Sequence, residues 1–193
     1  YYMKKLILFT SSYPYGDRET YLETEIKYLS QKFNHIVIYP FHYKNNSEEV
    51  RRVPRGVEVK KPLMPIKKRA KIYIFFKNFF NSQSTKLMII EFFNKKVYLS
   101  TFKILKWMRT LMHTVILRSS NAYNEIIKEK DSVFYFWWGT NWAWLLCFNI
   151  KHNSNKYFVR LHGGEVFHDR NNNFIPLSEE IFKNADILLS ISE

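Results

Sequence analysis

The chain has 193 residues, 46% of them hydrophobic and 18% aromatic, which is enough for one domain with a sizeable core and too apolar for a disordered polymer. A single cysteine, Cys147, excludes an internal disulfide and a cysteine-rich zinc site, and suits a reducing compartment. The net charge of +13 is concentrated between Lys60 and Arg118, where fourteen Lys and Arg face one acid, Glu91; such a field points to an anionic partner such as a membrane surface, a phosphorylated lipid or a nucleic acid.

Tyr1 and Tyr2 precede Met3 and are left out of the fold reading. Leu6 to Thr10 is too short for a secretory apolar core, so a cytoplasmic location is expected. Lys4 to Thr10 is a continuous apolar run of the kind buried on both faces of a parallel sheet. After the loop from Ser11 to Arg18, Leu22, Ile26, Leu29 and Phe33 fall at helical spacing over Glu19 to Phe33, with Asp17 as the expected N-cap. His35 to Pro40 supplies the next strand and closes a right-handed βαβ unit. Asn45 to Gly56 is polar and turn-rich, and Val57 to Val59 is a short third strand.

Lys61 to Arg118 leaves this rhythm. Pro62 and Pro65 open it, Phe75, Phe76, Phe79 and Phe80 fall at helical spacing among lysines, and Ser82 to Ser84 separates them from Leu87 to Leu117, where Ile90, Phe93, Val97, Leu105 and Met108 keep helical register. The expectation is an inserted segment of two or three helices over about 62–118. Ser132 to Ile150 carries no charge and approaches the length of a bilayer span. Gly139-Thr140-Asn141 interrupts it as a turn, which favours a strand over Val133 to Trp137 and a helix over Asn141 to His152.

Lys156 to Leu161 reads as a strand delivering His162-Gly163-Gly164-Glu165. Paired glycines beside two ionisable side chains leave room for a ligand at the carboxyl end of a strand, where open α/β sheets bind their ligands. The bland alternative is a glycine turn with a surface Glu. Ser178 to Asn184 is a short helix, and Asp186 to Ile191 a last buried strand, after which the chain looks truncated inside its domain. A single α/β domain, Rossmann-like and parallel, is expected over 3–193.

Four patterns then fall in one order: Phe9-Thr10-Ser11-Ser12-Tyr13-Pro14-Tyr15-Gly16 with Glu19-Thr20-Tyr21-Leu22-Glu23; Tyr135-Phe136-Trp137-Trp138-Gly139; Arg160-Leu161-His162-Gly163-Gly164-Glu165; and Asp186 to Glu193. Together they resemble the amino-terminal domain of GT-B glycosyltransferases of family 4, especially those that assemble bacterial capsule, exopolysaccharide and lipopolysaccharide. The resemblance covers Lys4 to Val59 and Ser132 to Glu193. It implies the acceptor-binding half of a retaining enzyme, with no metal, whose nucleotide-sugar donor is bound by a carboxyl-terminal domain that this sequence lacks; the fragment alone would be inactive.

By position His162 is implied to lie beside the transferred sugar as the catalytic histidine, and Glu165 to bind acceptor hydroxyls or to orient His162. Gly163, Gly164, Trp138 and Tyr15 are read as the rest of the acceptor site, and Gly16 as part of a phosphate-proximal loop, although Asp17 stands where many family members carry a second glycine. The alternative is a non-catalytic, membrane-associated or partner-binding subunit of a split glycosyltransferase.

Two readings of the insertion stay open. Lys67, Lys68, Arg69 and Lys71 with Phe75, Phe76, Phe79 and Phe80 could form an interfacial helix on the anionic inner face of the cytoplasmic membrane, or the phenylalanines could be core. No recognition module accompanies the basic, aromatic composition, so nucleic acid is not the expected partner. His113 and His152 are expected at the surface.

Overall fold

The computed structural model describes residues 3–43, 50–64, 67–80, 83–148, 150–167 and 169–190. Tyr1, Tyr2, residues 45–49 of the polar stretch, Pro65, Ser82, the Lys68 side chain and the closing Ile191-Ser192-Glu193 lie outside the described residues.

Six strands, β1 (Met3–Thr10), β2 (Phe33–Pro40), β3 (Val57–Val59), β4 (Val133–Phe136), β5 (Lys156–Leu161) and β6 (Ile187–Ser190), form one sheet. Its order is β3-β2-β1-β4-β5-β6 and every pairing is parallel. This is an α/β, Rossmann-like open sheet flanked by helices. The chain steps outward from β1 to β3, then returns to the other side of β1 for β4, so the topological switch point lies between the carboxyl ends of β1 and β4. β1 holds the centre because Leu6, Ile7, Leu8 and Phe9 are all buried, odd and even positions serving opposite faces.

On one face α1 (Tyr21–Leu29) buries Leu22 and Ile26 against Leu6, Leu8, Ile36 and Ile38. It is shorter than its apolar spacing predicts. Glu19 sits at φ 59°, Thr20 rather than Asp17 is the N-cap, with no side-chain hydrogen bond, and Phe33 belongs to β2. The left-handed residue redirects the chain, so the helix starts only after it.

The other face is covered by the insertion and by the helices nearer the carboxyl end. The insertion folds as α2 (Lys68–Asn78), α3 (Gln83–Asn94), a 3₁₀ turn (Val97–Leu99) and α4 (Thr101–Arg118). α4 buries Leu111, Val115, Ile116 and Leu117, and α5 (Asn121–Ile126) returns the chain to β4. Phe9 and Phe136 stack at 4.6 Å between centroids, with Trp142 packed on Phe9 at 5.3 Å. α6 (Gly163–Val166) comes directly after β5, and α7 (Ser178–Asn184) buries Ile181 in the same core.

Two expectations are corrected here. Asn141–Phe148 is a 3₁₀ helix and not an α-helix, entered through Asn141 at φ 56° and buried along nearly its whole length. An apolar run in which every position is buried carries no period with which to tell three residues per turn from 3.6. β6 is an exposed edge strand rather than a buried one, with Ile187, Leu188 and Leu189 at 37–45% exposure. Among the described residues no helix is long and apolar enough to cross a membrane.

Candidate functional site

β5 alternates buried Tyr157, Val159 and Leu161 with half-exposed Phe158 and Arg160. Arg160 faces α1, bonding Glu25 at 2.7 Å and lying 4.1 Å over the Trp137 ring. The strand ends at His162, which holds an extended backbone as N-cap of α6. Its imidazole stacks on Trp138 with centroids 4.0 Å apart and planes inclined 30°. Nε2 lies 2.9 Å from the Trp137 carbonyl oxygen. A carbonyl only accepts, so Nε2 carries the hydrogen and the lone pair resides on Nδ1. Burial lowers the His162 pKa, opposed by the Trp137 hydrogen bond, so the ring is neutral at pH 7 with Nδ1 as its acceptor nitrogen.

Glu165 is the third residue of α6 and is 5% exposed. Its carboxylate accepts from the His162 N–H at 3.2 Å, the Thr140 hydroxyl at 3.0 Å and the Gly139 N–H. Burial raises its pKa and these three donors oppose the rise. The carboxylate is thus a clamp that holds the β4 loop against the start of α6 and orients His162 through its backbone; its oxygens are not offered to acceptor hydroxyls. Gly139 permits the clamp, since a Cβ there would meet Leu161 at 3.0 Å and the Glu165 carboxylate at 3.5 Å.

Gly163 and Gly164 are not there for a left-handed backbone, because both are helical. A Cβ on Gly163 would press on the Phe167 ring at 3.2 Å, whereas Gly164 faces open space. Of the pair, Gly164 leaves room for an incoming group.

The loop after β1 differs most from its sequence reading. The backbone N–H groups of Ser11, Ser12 and Tyr13 converge as an anion nest, but the Glu19 carboxylate fills it, accepting from all three at 2.9, 2.8 and 2.7 Å. Glu19 also accepts from Trp138 Nε1 at 2.7 Å. Gly16, at φ 73°, turns the loop but presents no free N–H cluster to a diphosphate; an internal acid occupies that place. Tyr15 is 7% exposed and packs edge-to-face on Tyr43 at 5.3 Å, so it offers an acceptor little surface. The structure brings His162, Trp138, Glu165 and Gly164 together and leaves Tyr15 and Gly16 to the loop's own packing. Glu19, which joins them, escaped sequence reasoning. Its only cue was an acid just ahead of a helix, which reads more simply as dipole complementation.

Of the tryptophans, Trp137, Trp142 and Trp144 are buried in the core, while Trp138 and Trp107 are half-buried, Trp107 packing on the core and donating to the Met88 carbonyl at 2.8 Å. Among the described residues no group of three His, Cys, Asp or Glu could hold a metal ion.

No family model, curated protein or solved structure matches the chain.

The basic insertion divides its phenylalanines. Phe75 and Phe79 pack on the core, while Phe76 and Phe80 are 69% and 90% exposed. Lys67 and Arg69 are exposed and Lys71 is half-buried. More apolar side chains stand in solvent than the sequence pattern indicates, including Tyr73, Phe93, Leu99 and Leu105, each above 60% exposure.

Proposed function

We propose that this chain is the acceptor-binding half of a retaining glycosyltransferase that moves a sugar from a nucleotide sugar to a growing or lipid-linked surface polysaccharide. The observation that carries the reading is His162, neutral and locked by the Trp137 carbonyl, stacked on Trp138 at the carboxyl edge of a 3-2-1-4-5-6 parallel sheet. The order of the four sequence patterns supports it. An acceptor nitrogen beside an aromatic face suits a sugar: Nδ1 takes a hydroxyl hydrogen bond while the indole meets the apolar side of the ring. The donor nucleotide belongs to a second domain, and reaction takes place in the cleft between the two. The exposed phenylalanines among lysines on the insertion favour peripheral docking on an anionic membrane, where a lipid-linked acceptor would reside.

The test uses the protein that joins this chain to a nucleotide-sugar-binding half. His162→Ala is expected to abolish sugar transfer, measured with labelled nucleotide sugar, while circular dichroism and the unfolding midpoint stay near wild type. Wild-type turnover in that variant overturns the reading.

A further inference from the structure

A cavity of about 330 Å³ adjoins the acceptor site and shares Trp138, Gly164 and Glu165 with it. One wall is α4, whose Lys106, Arg109, Thr110 and His113 recur at spacings of three and four and so share a face. The facing wall carries Trp138 and Trp144 from the segment after β4, and Gly164. His113 is 5% exposed, not at the surface as its sequence context predicts, because it packs on Phe41, His42 and Trp144 beneath this cavity.

The polar groups lining the cavity are mostly donors. Lys106 Nζ donates to Asn171 Oδ1 at 2.5 Å and to the Phe174 carbonyl at 3.1 Å; an ammonium has three hydrogens, so one remains. Arg109 makes no ion pair among the described residues. The Trp144 indole is 95% buried, and its N–H, shut off from solvent, has no partner among the described residues. The one carboxylate on the wall, Glu165, is already held by three donors. Two cations lining one cavity, whose only carboxylate is already engaged, call for an anion with several acceptor oxygens.

We propose that this cavity is a phosphate-ester subsite, in which Arg109 and Lys106 hold the phosphate oxygens and Trp138 flanks the group esterified to them. Gly164, without a side chain, leaves space for that group. The proposal rests on the acceptor-side reading for the ligand's role, a phosphorylated acceptor whose sugar-accepting end points at His162. The binding itself does not depend on it.

Equilibrium titration of the chain, monitored by tryptophan fluorescence, tests this with a hexose 1-phosphate, a short-chain alkyl phosphate and the unphosphorylated hexose. Both phosphate esters are expected to bind saturably and the bare hexose to bind at least about tenfold more weakly. Arg109→Ala and Lys106→Met should each weaken ester binding about tenfold or more, and Lys77→Ala, which removes equal charge from exposed α2, should leave it unchanged. Arg109 is exposed, so its variant keeps the fold even if Lys106→Met loosens the Asn171 contact. Tighter binding of the hexose 1-phosphate names a sugar phosphate as the source, and tighter binding of the alkyl phosphate a lipid headgroup. Absence of saturable ester binding, or equal loss in Lys77→Ala, overturns the proposal. Turnover plays no part in this measurement, so it can fail while the His162→Ala experiment succeeds, or the reverse.

Discussion

Glu19 and Trp138 meet at 2.7 Å, an acid from the loop after β1 accepting from an indole just beyond β4. The two loops that border the switch point are thereby tied by one carboxylate, which also takes three backbone N–H groups of the β1 loop. Arg51 braces the same loop from outside, bonding the Pro14 carbonyl and Glu23 and lying 4.7 Å over the Tyr13 ring. A chain that wanted a phosphate in this nest would leave it open; here the negative charge is built in, and Trp138 is set in place for His162 to stack on.

Glu19→Ala is therefore expected to destabilise the fold by about 2–4 kcal/mol, since one substitution orphans four donors, each worth about 1–3 kcal/mol when buried and less where water can reach. Glu19→Gln, which keeps an acceptor but not the charge, should cost about half as much. Urea unfolding measures both. A Glu19→Ala loss below about 0.5 kcal/mol would show that the carboxylate does not hold the loop.

The parts of this arrangement that were legible in the sequence share a physical reason. β5 and α7 match their expected bounds, Lys156–Leu161 and Ser178–Asn184, because alternation in the first and a preceding proline with flanking turn residues in the second mark local structure directly. His162 and Trp138 were visible because strand ends in a parallel sheet converge on one edge. What stayed hidden depends on side chains crossing between elements. Nothing in spacing shows that Glu19 folds back into the nest, that Glu165 turns inward to Thr140, or that His113 is buried under Trp144. The insertion misleads for another reason. Helical spacing identifies an apolar stripe but not what covers it, and Ile90, Phe93, Leu105 and Met108 keep register while standing in solvent, whereas Val97 is fully buried.

That exposed set supports a second prediction. Incubated with vesicles containing anionic lipid, the chain should sediment with them, and should do so less as salt rises, because each surface Lys or Arg contributes about 1 kcal/mol that is screened within a Debye length. The double variant Phe76→Ser, Phe80→Ser should weaken sedimentation at least about tenfold without loss of stability, since both rings are exposed. The variant Phe75→Ser should instead destabilise the fold, because that ring packs on the core. Equal, negligible sedimentation with acidic and neutral vesicles would sink the membrane reading.

A third prediction concerns His42 and His113, whose rings meet edge-to-face at 5.5 Å. Burial, and after it the positive charges of Lys71 and Arg109, lowers His42 to about 4, and burial with His42 and the same cations lowers His113 to about 3. The unfolded chain takes up protons near pH 6.5, the folded chain only near 4 and below. Their contribution to stability is therefore complete above about pH 6.5 and is lost as pH falls, down to about 4 for His42 and about 3 for His113. Comparing urea midpoints at pH 7 and pH 5, wild type should lose more than His113→Phe does; parallel profiles would remove these rings from the acid response.

Glu91 titrates with the opposite sign. It is the lone acid of the basic insertion, and its Oε1 accepts from the Leu177 N–H at 2.6 Å, tying α3 to the turn before α7, where Leu177 sits at φ 63°. Its second oxygen is buried without a partner among the described residues. Burial outweighs the Leu177 hydrogen bond and Lys95 and raises the carboxyl to about 7. The folded state thus holds a proton that the unfolded chain releases near its ordinary value of 4.5, so Glu91 contributes fully below about pH 4.5 and its contribution fades as pH rises to about 7. Opposed to the histidine pair, this gives the three groups together their largest contribution between the two windows' outer limits. Glu91→Gln retains the acceptor for Leu177 without the charge, so it should be more stable than wild type by about 1–3 kcal/mol at pH 8 and nearly equal to it at pH 4.5. Urea unfolding at those two pH values measures the difference. A Gln variant that is less stable than wild type at pH 8 would show that the carboxylate is ionised and satisfied in the fold, and that the pH slope arises elsewhere.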